Sequence, residues 1–330
     1  MPARIRSWLG WTWRVTTPEL PPLLVIAGAT ATGKTSLALE LAATLGGTEI
    51  VSADSRQVYR GMDIGTAKPS PQERAAVPHH GLDLVDPDEP FDAAAYRRHA
   101  LDVLSGIAAR GRLAMLVGGT GLYLRAVARG LPLERTGSDP QVRAELEARL
   151  AGVGLAVLVA ELCRRDPGAA AAIDLDNPRR VVRALERAIV TGSARPPAPE
   201  GYAAVSSWLG LTLDRARHRA VIEARARQQF ASGLLEEAAQ LRERYPENLP
   251  AFSAMGYREA FAVLDGRIGL GEAEASDVGR TWAYARRQRT WFRSEPDITW
   301  LAAGEGVTQR ALDMLAPFLR GIGHPVYAGR

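Results

Sequence analysis

Hydrophobic positions along this chain follow two rhythms, and the change between them divides it. "LLVIAGA" (23–29) is an unbroken apolar, β-rich run, as a strand buried on both faces requires, and "KTSLALELAATLGG" then carries apolar residues at helical spacing up to a glycine pair. "TEIVSADS" repeats the strand pattern, and "RLAMLVGGTGLYLRAVARGL" (112–131) reads as strand, glycine-rich turn and helix. Strands alternating with helices predict a parallel α/β sheet flanked by helices, a P-loop NTPase-like core.

From Asp139 to about Gly192 the strand pattern stops, and Ala-, Arg- and Glu-rich helical segments take over until "TGSARPPAPEGY" (191–202), a linker. This predicts an inserted helical subdomain over 136–202, with the core assembled from 22–135 and 203–330. "SSWLGLTLD" (206–214) predicts a strand returning to the core, followed by helices around 215–245, 256–265 and 274–292, a short strand at "DITWLA" and a last helix from 307. Residues 1–21 read as a disordered extension, although Trp8, Trp11 and Trp13 stand there beside Arg4, Arg6 and Arg14.

Composition narrows the class. A chain of 330 residues, 46% hydrophobic, can bury a substantial core. A single cysteine, Cys163, excludes an internal disulfide framework, and with no bilayer-length apolar run or signal peptide a cytoplasmic monomer is expected. The net charge of +4 favours an anionic partner. Of 41 basic residues only Lys34 and Lys68 are lysine, which marks both for roles that need a compact ammonium.

Lys34 has such a role. Gly28, Ala29, Thr30, Ala31, Thr32, Gly33, Lys34 and Thr35 spell G-x-x-x-x-G-K-T between a strand and a helix. In that setting successive backbone N–H groups and the helix N-terminus wrap a diphosphate, Lys34 neutralises its oxygens and the Thr35 hydroxyl reaches Mg²⁺. The motif does not choose a reaction. A motor or GTPase adds a strand ending in Asp to help hold the metal, whereas "LAMLVGG" ends in glycines and no N-K-x-D occurs, which argues against hydrolysis.

The strand "EIVSADS" ends in Asp54, beside the phosphate loop in a doubly wound sheet. Its carboxylate can accept a proton from a nucleophile or cap the next segment, and the residues leave both readings open. His79 and His80 are adjacent, and no Cys or carboxylate cluster joins them at ligand spacing, so loop hydrogen bonding suits them better than a metal. Lys68 is expected near the diphosphate or an RNA backbone. The segment 280–293, five arginines interleaved with Trp282, Tyr284, Trp291 and Phe292 and free of acids, suits phosphate binding or core packing.

"GATATGKTSLALELA", "VSADSRQVYRGMDIGTAKPSPQE", "HHGLDLVDPDEPFDAAAYRR" and "LVGGTGLYLRAVARGL" resemble, in order and spacing, the tRNA dimethylallyltransferase family, with weaker echoes in "NPRRVVRALE", "AMGYRE" and "RRQRTWFR". The resemblance implies transfer of a dimethylallyl group from dimethylallyl diphosphate to N6 of the adenosine 3′ of the anticodon, position 37, in tRNAs reading U-starting codons. It implies that Gly28–Thr35 hold the diphosphate with Mg²⁺, that Asp54 is the general base, and that Lys34 and Thr35 share the catalytic work. It also implies tRNA contacts at Asp54, Ser55, Arg56, Gln57, Thr120 and Arg143, at Arg179, Arg180, Val181, Val182 and Arg183, and at Gly256, Tyr257 and Arg258, with the insertion gripping the anticodon arm. The chain departs from the family pattern at Val221, Trp282 and Ala283, where Arg, Arg and Gln are usual, and Arg215, Arg217 or Arg286 are candidates to substitute. A small-molecule kinase with Asp54 as base, and an RNA-binding protein that senses nucleotide, are the competing readings.

Overall fold

The computed structural model describes residues 20–326; the N-terminal extension expected over 1–21 lies almost wholly outside the described residues. The chain forms two compact units, one from the residues up to Ala128 together with those from Tyr202 onward, the other from Arg129 to Gly201.

The first unit is built on β1 (Leu23–Gly28), α1 (Lys34–Leu45), β2 (Thr48–Ala53), α2 (Pro71–Ala76), β3 (His79–His80), α3 (Ala93–Ala109), β4 (Leu113–Gly118) and α4 (Gly121–Ala128). After the second unit it resumes with β5 (Ser206–Thr212), further helices and β6 (Ile298–Ala302). The sheet has six strands in the order β3-β2-β4-β1-β5-β6, every pair parallel. The apolar runs are continuous because both faces are covered. Leu23, Val25 and Ala27 point into a core shared with α3 and α4, while Leu24 and Ile26 alternate into a second core formed with α1. Each such buried aliphatic side chain contributes roughly 1.5–3 kcal/mol.

Caps explain several helix starts. Ser70 and Glu73 form a reciprocal capping box at α2, and Asp92 accepts from the Ala95 amide to open α3. The second unit holds α5 (Pro140–Val153), α6 (Leu155–Arg165), α7 (Pro167–Ala170) and α8 (Pro178–Thr191), packed around Leu146, Leu158, Leu162, Val181, Val182 and Leu185. Asp139 and Asn177 cap α5 and α8, each followed by proline at the first helical position.

The helical stretch expected over 215–245 is two helices, α9 (Arg215–Ala231) and α10 (Leu234–Arg244), because Gly233 adopts φ 103° between them. After them come α11 (Tyr257–Leu264), α12 (Leu270–Arg293) and α13 (Val307–Gly321). His79 and His80 are the short edge strand β3: His80 Nε2 lies 2.7 Å from the Glu49 carboxylate and His79 Nδ1 lies 2.7 Å from the Val77 carbonyl oxygen. Among the described residues no group of three or more His, Cys, Asp or Glu could hold a metal ion, and no helix is long and apolar enough to cross a membrane.

Candidate active site

Parallel strands put their carboxyl ends along one edge of the sheet, and the register sets Ala27 and Ala53 on either side of Gly118. The phosphate loop after β1, Asp54 after β2 and Gly119 after β4 therefore open side by side. The loop's shape depends on glycine: Gly28 has φ 149° and a Cβ there would lie 2.7 Å from the Leu211 carbonyl oxygen, while Gly33 turns into α1 at φ 88°. Ala31 adopts φ 61°, a strained value for a residue with a side chain.

Within the loop the Thr32 hydroxyl donates to the Ala29 carbonyl at 2.9 Å, so its side chain is spent internally. The Lys34 ammonium donates to the same carbonyl at 2.7 Å. Burial pulls the Lys34 pKa down to about 8, with the Asp54 carboxylate opposing the change and Arg225 adding to it. The Thr35 hydroxyl, exposed on the first turn of α1, makes no hydrogen bond within the protein among the described residues. A lone hydroxyl is no metal cage, but it suits a hard divalent ion that brings phosphate oxygens and water as its other ligands.

Two residues from far along the chain hold the loop from outside. Gln288 of α12 accepts from the Thr30 amide at 2.8 Å and donates to the Gly119 carbonyl at 2.8 Å, bridging the loops after β1 and β4. His218 Nε2 of α9 lies 2.8 Å from the Thr30 carbonyl oxygen, and burial lowers the His218 pKa so that it stays neutral. Gln288 lies within "RRQRTWFR" but was not singled out there, and His218 belongs to no motif.

Asp54 Oδ1 accepts from the Arg56 amide at 2.8 Å, which leaves Oδ2 with no protein partner among the described residues. One oxygen of this aspartate closes a turn, and the residue lines open space on both sides. Thr120 accepts from the Ser55 amide at 3.0 Å and fixes the same turn. The Arg56 guanidinium donates to the Pro250 carbonyl at 2.9 Å and to the Ser253 hydroxyl at 2.8 Å. The Gln57 carboxamide accepts from Ser52 and donates to the carbonyls of Thr66 and Ala67, so its side chain is committed to the protein.

Two open cavities meet at Asp54. One, of about 670 Å³, is lined by Gly33, Lys34, Thr35 and Asp54; the other, of about 460 Å³, by Asp54, Arg56, Arg258, Asp277, Tyr284 and Arg287. Thr30, Thr66, Arg225 and Gln229 line both. Arg225 stands one helical turn beyond Val221 on α9, and Val221 lines the first cavity beside it. Among the described residues the Arg225 guanidinium makes one hydrogen bond, a long one to Thr30 Oγ1 at 3.5 Å. Burial lowers the Arg225 pKa, against the pull of Asp54 and Asp277. A half-buried cation with so few partners suits an anion. Asp277, 2% exposed, accepts among the described residues only from Thr281, at 3.4 Å, and burial together with Glu259 pushes its pKa up to about 6.

Arg225 lines the larger cavity with Val221, and none of the candidates Arg215, Arg217 and Arg286 is among its lining residues. Arg215 and Arg286 line a separate hollow with Trp282, Arg289 and Arg293, and Arg217 lies beside Gly304. Trp282 packs edge-on to His218 with Arg289 over its ring. Lys68, expected near the diphosphate or an RNA backbone, lines the larger cavity together with Lys34 and Thr35. Its side chain is 1% exposed, and its ammonium donates to the Tyr59 carbonyl at 2.6 Å, Asp63 at 2.7 Å and Asp83 at 2.5 Å.

In the second unit Arg143 pairs with Glu186 at 3.0 Å, and Arg183 pairs with the same carboxylate. Burial alone would raise the pKa of Glu186, but Arg143, the Asp139 amide and Arg183 outweigh it and hold the carboxyl low. Val181 and Val182 are buried in the helical core, so outward contacts on this segment fall to Arg179, Arg180 and Arg183. Gly256 and Tyr257 are likewise buried, and Arg258 alone of that trio is exposed.

Comparison with known proteins assigns the family. A family model described as IPP transferase matches residues 57–295, and one described as isopentenyl transferase matches residues 21–79. The tRNA dimethylallyltransferase of Roseiflexus sp. (strain RS-1) is 50% identical over 86% of this chain and 93% of its own length. That of Anaeromyxobacter sp. (strain K) is 46% identical over 90% and 99%. The crystal structure of the full-length tRNA isopentenylpyrophosphate transferase of Bacillus halodurans aligns with TM-score 0.66 at 39% identity, covering 91% of this chain and 96% of that one. A eukaryotic dimethylallyltransferase captured acting on tRNA aligns with TM-score 0.76 at 25% identity, covering 91% of this chain and 80% of that one. With the phosphate loop, Asp54 and the half-buried Arg225 converging on one sheet edge, and relatives matching over most of their length, the chain belongs to the IPP transferase family.

Proposed function

We propose that this protein transfers a dimethylallyl group from dimethylallyl diphosphate to N6 of adenosine 37 in tRNAs reading U-starting codons, releasing diphosphate. The observation that carries the reading is the junction of two cavities at Asp54: a cationic one that suits a leaving diphosphate, and a second that admits a base from the other side. The small-molecule kinase reading has no comparable support.

In this reading the amides of Gly28–Thr35 and the N-terminus of α1 bind the diphosphate. Lys34 leaves the Ala29 carbonyl for a phosphate oxygen, and Arg225 supplies the second cation. Negative charge on the diphosphate grows as the allylic C–O bond breaks, so these groups stabilise the transition state more than the ground state. Mg²⁺ fits the Thr35 hydroxyl and would supply further charge neutralisation for the leaving group. Asp54 accepts a hydrogen bond from the adenine amine through its unpartnered Oδ2 and takes the proton as N6 attacks. Adenine N6 is a poor nucleophile, so holding it against the allylic carbon lowers the barrier substantially. The base must leave its stack to reach Asp54. Arg258 and Arg287 at the second cavity, and Arg179, Arg180 and Arg183 on the second unit, suit the phosphates of an anticodon arm.

Incubation with labelled dimethylallyl diphosphate, Mg²⁺ and bulk tRNA, followed by nucleoside analysis, tests the reading. N6-dimethylallyl adenosine is the expected product. Its absence, with ATP-dependent phosphorylation of a small molecule in its place, overturns the proposal.

A further inference from the structure

The segment between Asp54 and Lys68 carries almost no regular structure, yet it presents the carboxylate on which the proposed reaction depends. It is held by two charges of opposite sign. On one side Glu237 of α10 accepts from the backbone amides of Asp63 at 2.9 Å, Ile64 at 2.7 Å and Gly65 at 3.1 Å, and from the Tyr257 hydroxyl at 2.6 Å. On the other side the three donors of Lys68 meet the Tyr59 carbonyl and Asp63 within the segment and Asp83 beyond it.

We propose that Lys68 is a positioning residue for Asp54, acting through the loop that joins them. The path is short and made of hydrogen bonds. Asp83, fixed by Lys68 and by Arg74 at 2.7 Å, donates its amide to the Gln57 carbonyl at 3.1 Å. Leu84 and Val85 donate to Val58, so residues 57–58 are zipped to the segment that Lys68 holds. The Gln57 carboxamide ties Thr66 and Ala67, the residues just before Lys68, to Ser52 in β2, two residues before Asp54. Asp83 adopts φ 55° and Ala67 φ 46°, conformations that persist only where surrounding contacts hold them.

The geometry also accounts for a lysine in a chain that otherwise uses arginine. Three acceptors converge on one tetrahedral nitrogen, whereas a guanidinium spreads its donors over a plane and is bulkier than the buried space around Nζ. Lys68→Arg keeps the charge and loses this convergence, so the loop must shift, and a displacement of about 1 Å at a reacting group is worth about 100-fold in rate.

The proposal rests on Asp54 being the general base, and the experiment separates the two. Wild-type protein forming no prenylated adenosine would refute the functional reading itself. With wild-type activity established, Lys68→Arg is compared in single-turnover rate at saturating donor and tRNA, in dissociation constants for both substrates, and in thermal midpoint. The expected result is a rate loss of about 100-fold with both dissociation constants within about threefold of wild type. An unchanged rate overturns the proposal, and so does an equal loss in donor affinity, which would place Lys68 at the diphosphate. Should Lys68→Arg fail to fold, Asp83→Asn gives the second reading: a smaller rate loss with unaltered binding supports the proposal, and a wild-type rate overturns it.

Discussion

Replacing Arg225 by methionine gives changes of opposite sign in stability and binding. The guanidinium is half-buried, has one hydrogen bond among the described residues, at 3.5 Å, and shares its site with a second cation, Lys34. Without an anion its charge is unfavourable there: burial outweighs the attraction of Asp54 and Asp277, as the lowered pKa records. An apolar side chain of similar length removes that cost, and we expect the free protein to gain about 1–2 kcal/mol in unfolding free energy. The donor loses a charged partner at the same time. Two hydrogen bonds to a charged group, each worth about 1.5–3 kcal/mol, correspond to a 100-fold or greater loss in diphosphate affinity. Lys34, relieved of repulsion, should titrate above its present value of about 8. Denaturant unfolding of the free protein and calorimetric titration with dimethylallyl diphosphate measure both effects. A variant that binds the donor as tightly as wild type, or is clearly less stable without it, refutes the reasoning.

Three further expectations follow from the same site. Asp54→Asn keeps size but removes the base, so turnover should fall by about 10²–10⁴-fold with tRNA binding nearly intact in a filter-binding assay. The Lys34 pKa of about 8 means the ammonium is present below that pH and lost above it, so donor affinity in the free enzyme should weaken about fivefold between pH 8 and pH 9, read by calorimetry across buffers. Asp277 has its pKa raised to about 6, so ionising it opposes folding above that pH; Asp277→Asn should stabilise the protein at pH 8, by up to about 3 kcal/mol, and not at pH 4.

The local pieces of this protein were legible residue by residue. Unbroken apolar runs require strands covered on both faces, G-x-x-x-x-G-K-T requires a loop of bare amides opening a helix, and an Asp at a strand exit beside it must open on the same edge. These features depend on backbone conformation and spacing within a few residues. What depended on distant packing was not legible. Gln288 meets Thr30 across 258 positions and His218 does so across 188; "RRQRTWFR" contains Gln288 but does not say what it touches, and nothing local marks His218. Arg225 and Arg217 are two arginines on one helix, and only the packing of α9 against the sheet edge decides that Arg225 faces Asp54 while Arg217 lies beside Gly304. Lys68 shows the division most clearly. Its rarity marked it as needing a compact ammonium, and that was sound; where the ammonium points was settled by Tyr59, Asp63 and Asp83, which close around it only once the chain has folded. Sequence constrains which donor a site requires, because valence and shape belong to the residue. Tertiary structure decides which acceptors meet it, because burial and convergence belong to the fold.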